Sequence, residues 1–122
     1  MATPEGKNTV FELFEGKGYL LIGILEPMTG VGAKAFEDAV PKLLKEPVSH
    51  FIFNCEGVSA LQKNWVRVLL QFVREVNRHG KEVRFILANP AFKQSVYNEG
   101  VTQHFKFAVT TRDALIEFGL LN

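Results

Sequence analysis

Residues 49–80 read S-H-F-I-F-N-C-E-G-V-S-A-L-Q-K-N-W-V-R-V-L-L-Q-F-V-R-E-V-N-R-H-G, and the apolar pattern changes period once along the way. His50 to Cys55 is a near-continuous apolar run, too short for a helix and without the alternation of a half-exposed strand. It predicts a strand covered on both faces, as in a parallel sheet. From Lys63 or Asn64 to His79 the spacing becomes helical: Val66, Leu69, Val73 and Val76 recur on one side, with Leu70 and Phe72 widening the stripe. Arg74, Arg78 and His79 suit the negative end of the helix dipole, and Gly80 supplies a closing residue able to take a left-handed conformation. The joint Glu56–Gln62 therefore links the carboxyl end of a central strand to a helix N-terminus, where open α/β sheets usually bind ligands and partners.

The rest of the chain extends the same alternation. Thr9–Phe14 and Tyr19–Leu25 predict two strands joined by E-G-K-G at Glu15–Gly18, whose glycines accept the positive φ of a tight turn. The second strand is the more apolar, which puts the first at the sheet edge. Pro27–Gly32 predicts a loop. A helix follows with Phe36, Ala39, Val40, Leu43 and Leu44 on one face, and Pro41 predicts a kink or break near Val40 because proline removes a donor and crowds the preceding turn. Glu82–Leu87 predicts a further parallel strand. Asn89-Pro90 is a helix start leading into about Ala91–Asn98. Alternation at Phe105, Phe107 and Val109 predicts a short final strand, and Thr110 with Asp113 has capping-box spacing for a last helix reaching Leu121.

The predicted fold class is therefore α/β: a mixed, mostly parallel sheet of about five strands, an N-terminal antiparallel hairpin and about four helices. At 122 residues the chain predicts one domain over 1–122, with a loose polar lead-in at Met1–Lys7. The eleven phenylalanines fit a core between helices and sheet. A net charge of +1 with mixed signs provides no basic face for nucleic acid. No apolar run approaches a membrane span, and the N-terminus has no signal-peptide core, so a cytoplasmic protein without direct membrane insertion is expected.

Chemistry-bearing patterns are few. T-G-V-G-A-K at Thr29–Lys34 resembles a phosphate loop superficially, but Lys34 lies between Ala33 and Ala35 instead of following Gly and preceding Ser or Thr. Cys55, the single cysteine, lies near a strand end where a nucleophile could be displayed. Yet His50 falls at the opposite end of that strand and His79 at the far end of the helix, so an inert buried thiol is expected. His50, His79 and His104 form no spaced ligand pair. The expectation is no enzyme, no metal and no cofactor. Trp65 has two readings: a core residue turned inward with Leu69 and Phe72, or an exposed aromatic anchor for a partner.

Several of these segments, taken in order, resemble the STAS family, the domain of bacterial anti-sigma-factor antagonists and sulfate-transporter tails. The residues that carry the likeness are F-I-F-N-C-E-G-V-S-A-L at Phe51–Leu61, the helix ending R-H-G at Arg78–Gly80, K-E-V-R-F-I-L-A at Lys81–Ala88, V-Y-N-E-G-V-T-Q-H-F at Val96–Phe105 and T-T-R-D-A-L at Thr110–Leu115. Where phosphorylatable members carry Asp-Ser-Ser-Gly, this sequence has Gln62, Lys63, Asn64 and Trp65, so the resemblance maps the phospho-acceptor position onto Lys63. An ammonium cannot take that phosphoryl group, and it reverses the local charge. A cation there either meets an acidic partner or is an ordinary solvated lysine. Ser59, in the preceding turn, is a displaced acceptor that no pattern singles out.

The resemblance implies a non-enzymatic regulatory module that binds a protein partner: an anti-sigma factor or kinase, other STAS chains, or a transporter complex. Homodimerisation is left open. The expected contact residues are Thr29, Gly30, Val31, Ser59, Gln62, Lys63, Asn64, Trp65 and Asn89. From another class, a small-ligand sensor for a nucleotide or lipid would use a shallow pocket between Pro27–Gly32, Ala88–Pro90 and Trp65.

Overall fold

The computed structural model describes residues 11–24, 30–58 and 60–121, with the side chains of 30 and 31 left aside. The lead-in at Met1–Lys7 and two expected contact residues, Thr29 and Ser59, lie outside the described residues. β1 (Phe11–Glu15) and β2 (Tyr19–Ile24) precede α1 (Gly30–Leu44), β3 (His50–Asn54) and α2 (Lys63–Arg78). Then come β4 (Glu82–Ile86), α3 (Pro90–Asn98), a 3₁₀ turn at Thr102–His104, β5 (Phe107–Ala108) and α4 (Thr111–Phe118). The strands lie in sequence order across one five-stranded sheet. β1 pairs antiparallel with β2, and the remaining pairs are parallel. The α/β class, the mixed sheet and the edge position of β1 thus match the sequence reading.

Side-chain alternation divides the core into two layers. On one face, Leu20, Ile22, Phe51, Phe53, Val83 and Phe85 meet the buried sides of α1, α2 and α3. On the other, Ile52 and Ile86 meet Ala114, with Tyr19, Leu21, Leu115 and Phe118 packed around them. Parallel strands in sequence order with right-handed crossovers put all three crossover helices on one side. Among the described residues α4 alone covers the other, which is why β3 has no polar side: Phe51, Ile52 and Phe53 are all fully buried. Phe36 is the hub of the aromatic layer, within 5.3–5.8 Å of the rings of Phe11, Phe53, Trp65 and Phe72.

Three expectations need correction. α1 runs from Gly30 to Leu44 with Pro41 inside it, so of the kink or break expected near Val40 the break does not occur. Proline removes only one donor; Glu37, whose carbonyl would have accepted it, and Pro41 itself are both exposed, while Phe36, Val40 and Leu43 hold the opposite side of the helix in the core. The loop expected over Pro27–Gly32 is helical from Gly30 onward; 25–29 lie outside the described residues. α4 stops at Phe118, short of Leu121, because Gly119 takes φ 80° and its N–H turns back to the Ile116 carbonyl.

Candidate functional site: the joint between β3 and α2

The joint begins where β3 ends. The Cys55 N–H still donates to the Ile86 carbonyl (2.9 Å), extending the ladder one residue past the strand. Asn54 then turns the chain, its Oδ1 accepting from the Glu56 N–H at 2.8 Å, and the Val58 N–H closes back onto the Cys55 carbonyl at 3.0 Å. Glu56 and Gly57 at the tip are exposed, while Val58 turns into the core.

Two side chains of the next strand–helix unit hold the joint in place. Asn89 uses both ends of its amide: Nδ2 donates to the Val58 carbonyl (2.5 Å), and Oδ1 accepts from the Phe92 N–H (2.8 Å), capping α3. Ser95 Oγ accepts from the Leu61 N–H (2.9 Å) and donates to the Ala91 carbonyl one turn back (2.9 Å). The joint is therefore pinned to α3 at both ends of its second half, and Ala60, Gln62, Lys63 and Asn64 stand exposed on that fixed frame. Gln62 opens α2 in an extended conformation without a side-chain cap, and the first turn holds no acidic residue. Lys63 makes no ion pair among the described residues.

The expected contact residues separate into groups. Gln62, Lys63 and Asn64 come together at the exposed helix start. Asn89 lies beside them, but its amide is engaged internally, so it braces the surface instead of presenting a group to a partner. Trp65 corrects its anchor reading: its ring is fully buried and packs 5.8 Å from Phe36, one hundred degrees further round the helix than Asn64. It also cannot line an open ligand pocket. Gly30 and Val31 open α1.

The sequence reading passed over Ser95 and two apolar residues. A serine inside a helix often bonds the carbonyl one turn back, and that was the available signal for Ser95. Leu87 and Val109 stand at the ends of β4 and β5 with 40% and 71% of their surfaces exposed. Leu87 takes φ 56°, uncommon for a residue with a side chain, and its N–H reaches the Val109 carbonyl at 3.2 Å. The sequence reading had placed Leu87 in the strand over Glu82–Leu87 and Val109 in the alternation of the last strand.

Cys55 is buried with its thiol directed to the Phe53 carbonyl (3.7 Å), and burial pushes its pKa well above the ordinary value. It is not displayed as a nucleophile. The histidines sit apart: His50 against the Phe118 ring (4.4 Å), and His79 on the Glu75 carbonyl (2.8 Å). Among the described residues no cluster of ligating side chains could hold a metal ion, and no helix is long and apolar enough to cross a membrane.

A family model described as the STAS domain matches residues 12–114. The chain belongs to the STAS family. Solved structures repeat the fold at low identity. The anti-sigma factor antagonist SpoIIAA in its unphosphorylated form superposes with a TM-score of 0.76 at 15% identity, over 92% of this chain and 99% of that one. An anti-sigma factor antagonist from Mycobacterium paratuberculosis gives 0.77 at 15% identity, over 96% and 97%. The murine Solute Carrier 26 family member A9 anion transporter gives 0.73 at 14% identity, over 85% of this chain but only 18% of the transporter. A search of curated protein sequences finds no match. In this STAS domain the joint occupies the strand-to-helix turn on which the family resemblance turned, with Lys63 as the first residue of α2.

Proposed function

We propose that this STAS domain is a non-enzymatic regulatory module that docks a protein partner on the joint and the start of α2. The observation that carries the reading is the fixed ledge itself: Ala60, Gln62, Lys63 and Asn64 exposed, on a backbone tied to α3 through Asn89 and Ser95. A preorganised surface loses little conformational entropy on binding. Leu87 and Val109 offer apolar area beside it. The structural likeness to two anti-sigma factor antagonists supports an anti-sigma factor or its kinase as the class of partner. The likeness to part of an anion transporter supports a second setting for the same surface, within a transporter complex.

Lys63 sets how such a module is regulated. A phosphoserine at the family's acceptor position would add about −1.5 to −2 charges at pH 7, whereas this chain carries a cation there. Release then comes from modification of the partner or from competition, not from phosphorylation at position 63. Affinity capture with wild type, Ala60→Arg, Lys63→Glu and a distant control, Lys106→Glu, tests the docking surface. A partner held by wild type and the control, and lost from both joint variants, is the expected result. A partner retained by all four refutes the reading. Incubating the captured complex with ATP and measuring the intact mass checks the regulation: the expected mass is unchanged with the partner still bound. A gain of one phosphate on this chain that releases the partner refutes it.

A further inference from the structure

α2 carries a charge pattern that its neighbours lack. Its outer side presents Lys63, Arg67, Arg74 and Arg78, all exposed. At 3.6 residues per turn these four fall within about 60° of arc, in a line about 22 Å long. The acidic residue of this helix, Glu75, lies outside that arc and pairs with Arg78 at 2.8 Å. Lys63, Arg67 and Arg74 make no ion pair among the described residues. By contrast, α1 mixes its charges, with Lys34 paired to Asp38 at 3.2 Å. The chain as a whole is almost neutral at +1, so α2 concentrates cations that the remainder balances. Like charges four residues apart, as at Lys63 and Arg67 or Arg74 and Arg78, weaken an isolated helix slightly. Midway along the line, between Arg67 and Arg74, lies Leu70, only half-buried. An apolar centre with a charged rim is the arrangement of a protein interface.

We infer that the outer side of α2 is a docking strip for an acidic helix of the partner. The inference rests on the joint being the docking surface and extends that surface along the full length of α2. The cations are spaced four, seven and four residues apart, so a partner helix of the same rise can set carboxylates opposite all four while an apolar side chain meets Leu70. A membrane surface fits less well, because interfacial helices insert a broad apolar side, and the apolar side of α2 is already in the core. Single-stranded nucleic acid fits less well too: the strip carries no exposed aromatic for stacking, Tyr97 lying on α3 and Phe14 on β1.

The test uses the full chain and a labelled synthetic helical peptide carrying Glu at spacings of four, seven and four with one Leu midway, read by fluorescence anisotropy. Wild type should bind, more weakly at high salt. Arg67→Glu/Arg74→Glu should lose about tenfold or more in affinity. Lys106→Glu/Arg112→Glu, an equal change of net charge on exposed residues elsewhere, should bind as wild type does. Circular dichroism confirms that each variant is folded. The inference is overturned by absent binding, by equal loss in both double variants, or by displacement of the peptide by phosphatidylglycerol vesicles or duplex DNA at lower concentration than unlabelled peptide. Capture of the native partner separates the two readings. If Arg67→Glu/Arg74→Glu keeps a partner that Ala60→Arg loses, the strip fails and the joint stands. If both variants keep it, the joint reading fails with it.

Discussion

Asn89 is the residue at which the frame of the site can be measured. Its amide makes two bonds with different purposes: Oδ1 caps α3 through the Phe92 N–H at 2.8 Å, and Nδ2 holds the Val58 carbonyl of the joint at 2.5 Å. Asn89→Ala removes both. Loss of the cap costs about 1 kcal/mol. Loss of the second bond, with a part-buried carbonyl left behind, costs about 1–2 kcal/mol more. The expected total is about 2–3 kcal/mol. Asn89→Asp keeps an oxygen acceptor for Phe92 and adds a negative charge at a helix N-terminus, which is favourable, but it has no donor for Val58. It should therefore lose only about 1 kcal/mol. Urea unfolding at neutral pH, with equal slopes for all three proteins, reads the differences directly. The order wild type, Asp, Ala is expected, and in both variants the amides of the joint should exchange faster with solvent. An alanine variant within about 0.5 kcal/mol of wild type, well below the roughly 2–3 kcal/mol predicted, would refute the bracing argument. An Asp variant as unstable as Ala would refute the division between cap and brace. Combining Asn89→Ala with Ser95→Ala should show non-additivity of about 0.5 kcal/mol or more, because both hold one short segment.

Two further perturbations address the core beneath the site. Trp65→Ala should cost about 3–5 kcal/mol, and native Trp65 should emit at short wavelength, resist acrylamide quenching and shift to the red on unfolding; ready quenching in the native protein would restore its reading as an exposed anchor. Cys55 should resist thiol reagents until the protein unfolds. Burial raises its pKa from an ordinary 9.0, so above that pH the unfolded chain ionises while the folded chain keeps its proton. The associated stability is complete below pH 9 and declines as pH rises. Relative to Cys55→Ala, the wild type should lose about 1 kcal/mol between pH 9 and pH 10, and a constant difference would refute the sign.

The fold was largely legible because its elements differ in period. The unbroken Phe51-Ile52-Phe53 run declared a strand buried on both faces, and the 3.6-residue stripe from Val66 to Val76 declared the helix after it. Caps were legible too: Asn89 accepts from Phe92, and Thr110 accepts from the Asp113 N–H at 3.1 Å, as their spacing implied. Pro41 pointed to a kink or a break, and the helix runs on through it without a break because local propensity is overridden where one side of a helix is held in a core. The exposure of the candidate site was legible in part; its internal contacts were not. Spacing put Gln62, Lys63 and Asn64 at an exposed helix start, yet it could not decide which way Trp65 faced, because a one-residue step turns a side chain by about 100°. The roles of Asn89 and Ser95 as braces depend on contacts across 31 and 34 residues, which no local pattern encodes. Leu87 and Val109 were hidden because each was read as the last residue of a strand that ends one residue earlier.

The topology also bears on the shape of the candidate site. Open α/β sheets form their ligand crevice where strand order reverses, so that neighbouring crossovers leave on opposite faces and their loops diverge. Here the order runs from β1 to β5 without reversal, and α1, α2 and α3 all pack on one face. The sheet therefore supplies no switch point. Instead its carboxyl edge is a continuous row in which the ends of β3, β4 and β5 stand side by side, each followed by a helix start. α3 and α4 begin with capped N-termini, at Asn89 and Thr110; α2 begins with the uncapped Gln62 followed by Lys63. The row is not flat: a cavity of about 390 Å³ opens at the ends of β4 and β5, lined by Leu87, Ala88, Lys93, Phe107, Ala108 and Val109. The unreversed strand order and the pinned joint therefore hold the exposed start of α2 in a fixed place along that edge, which is the feature the proposed docking relies on.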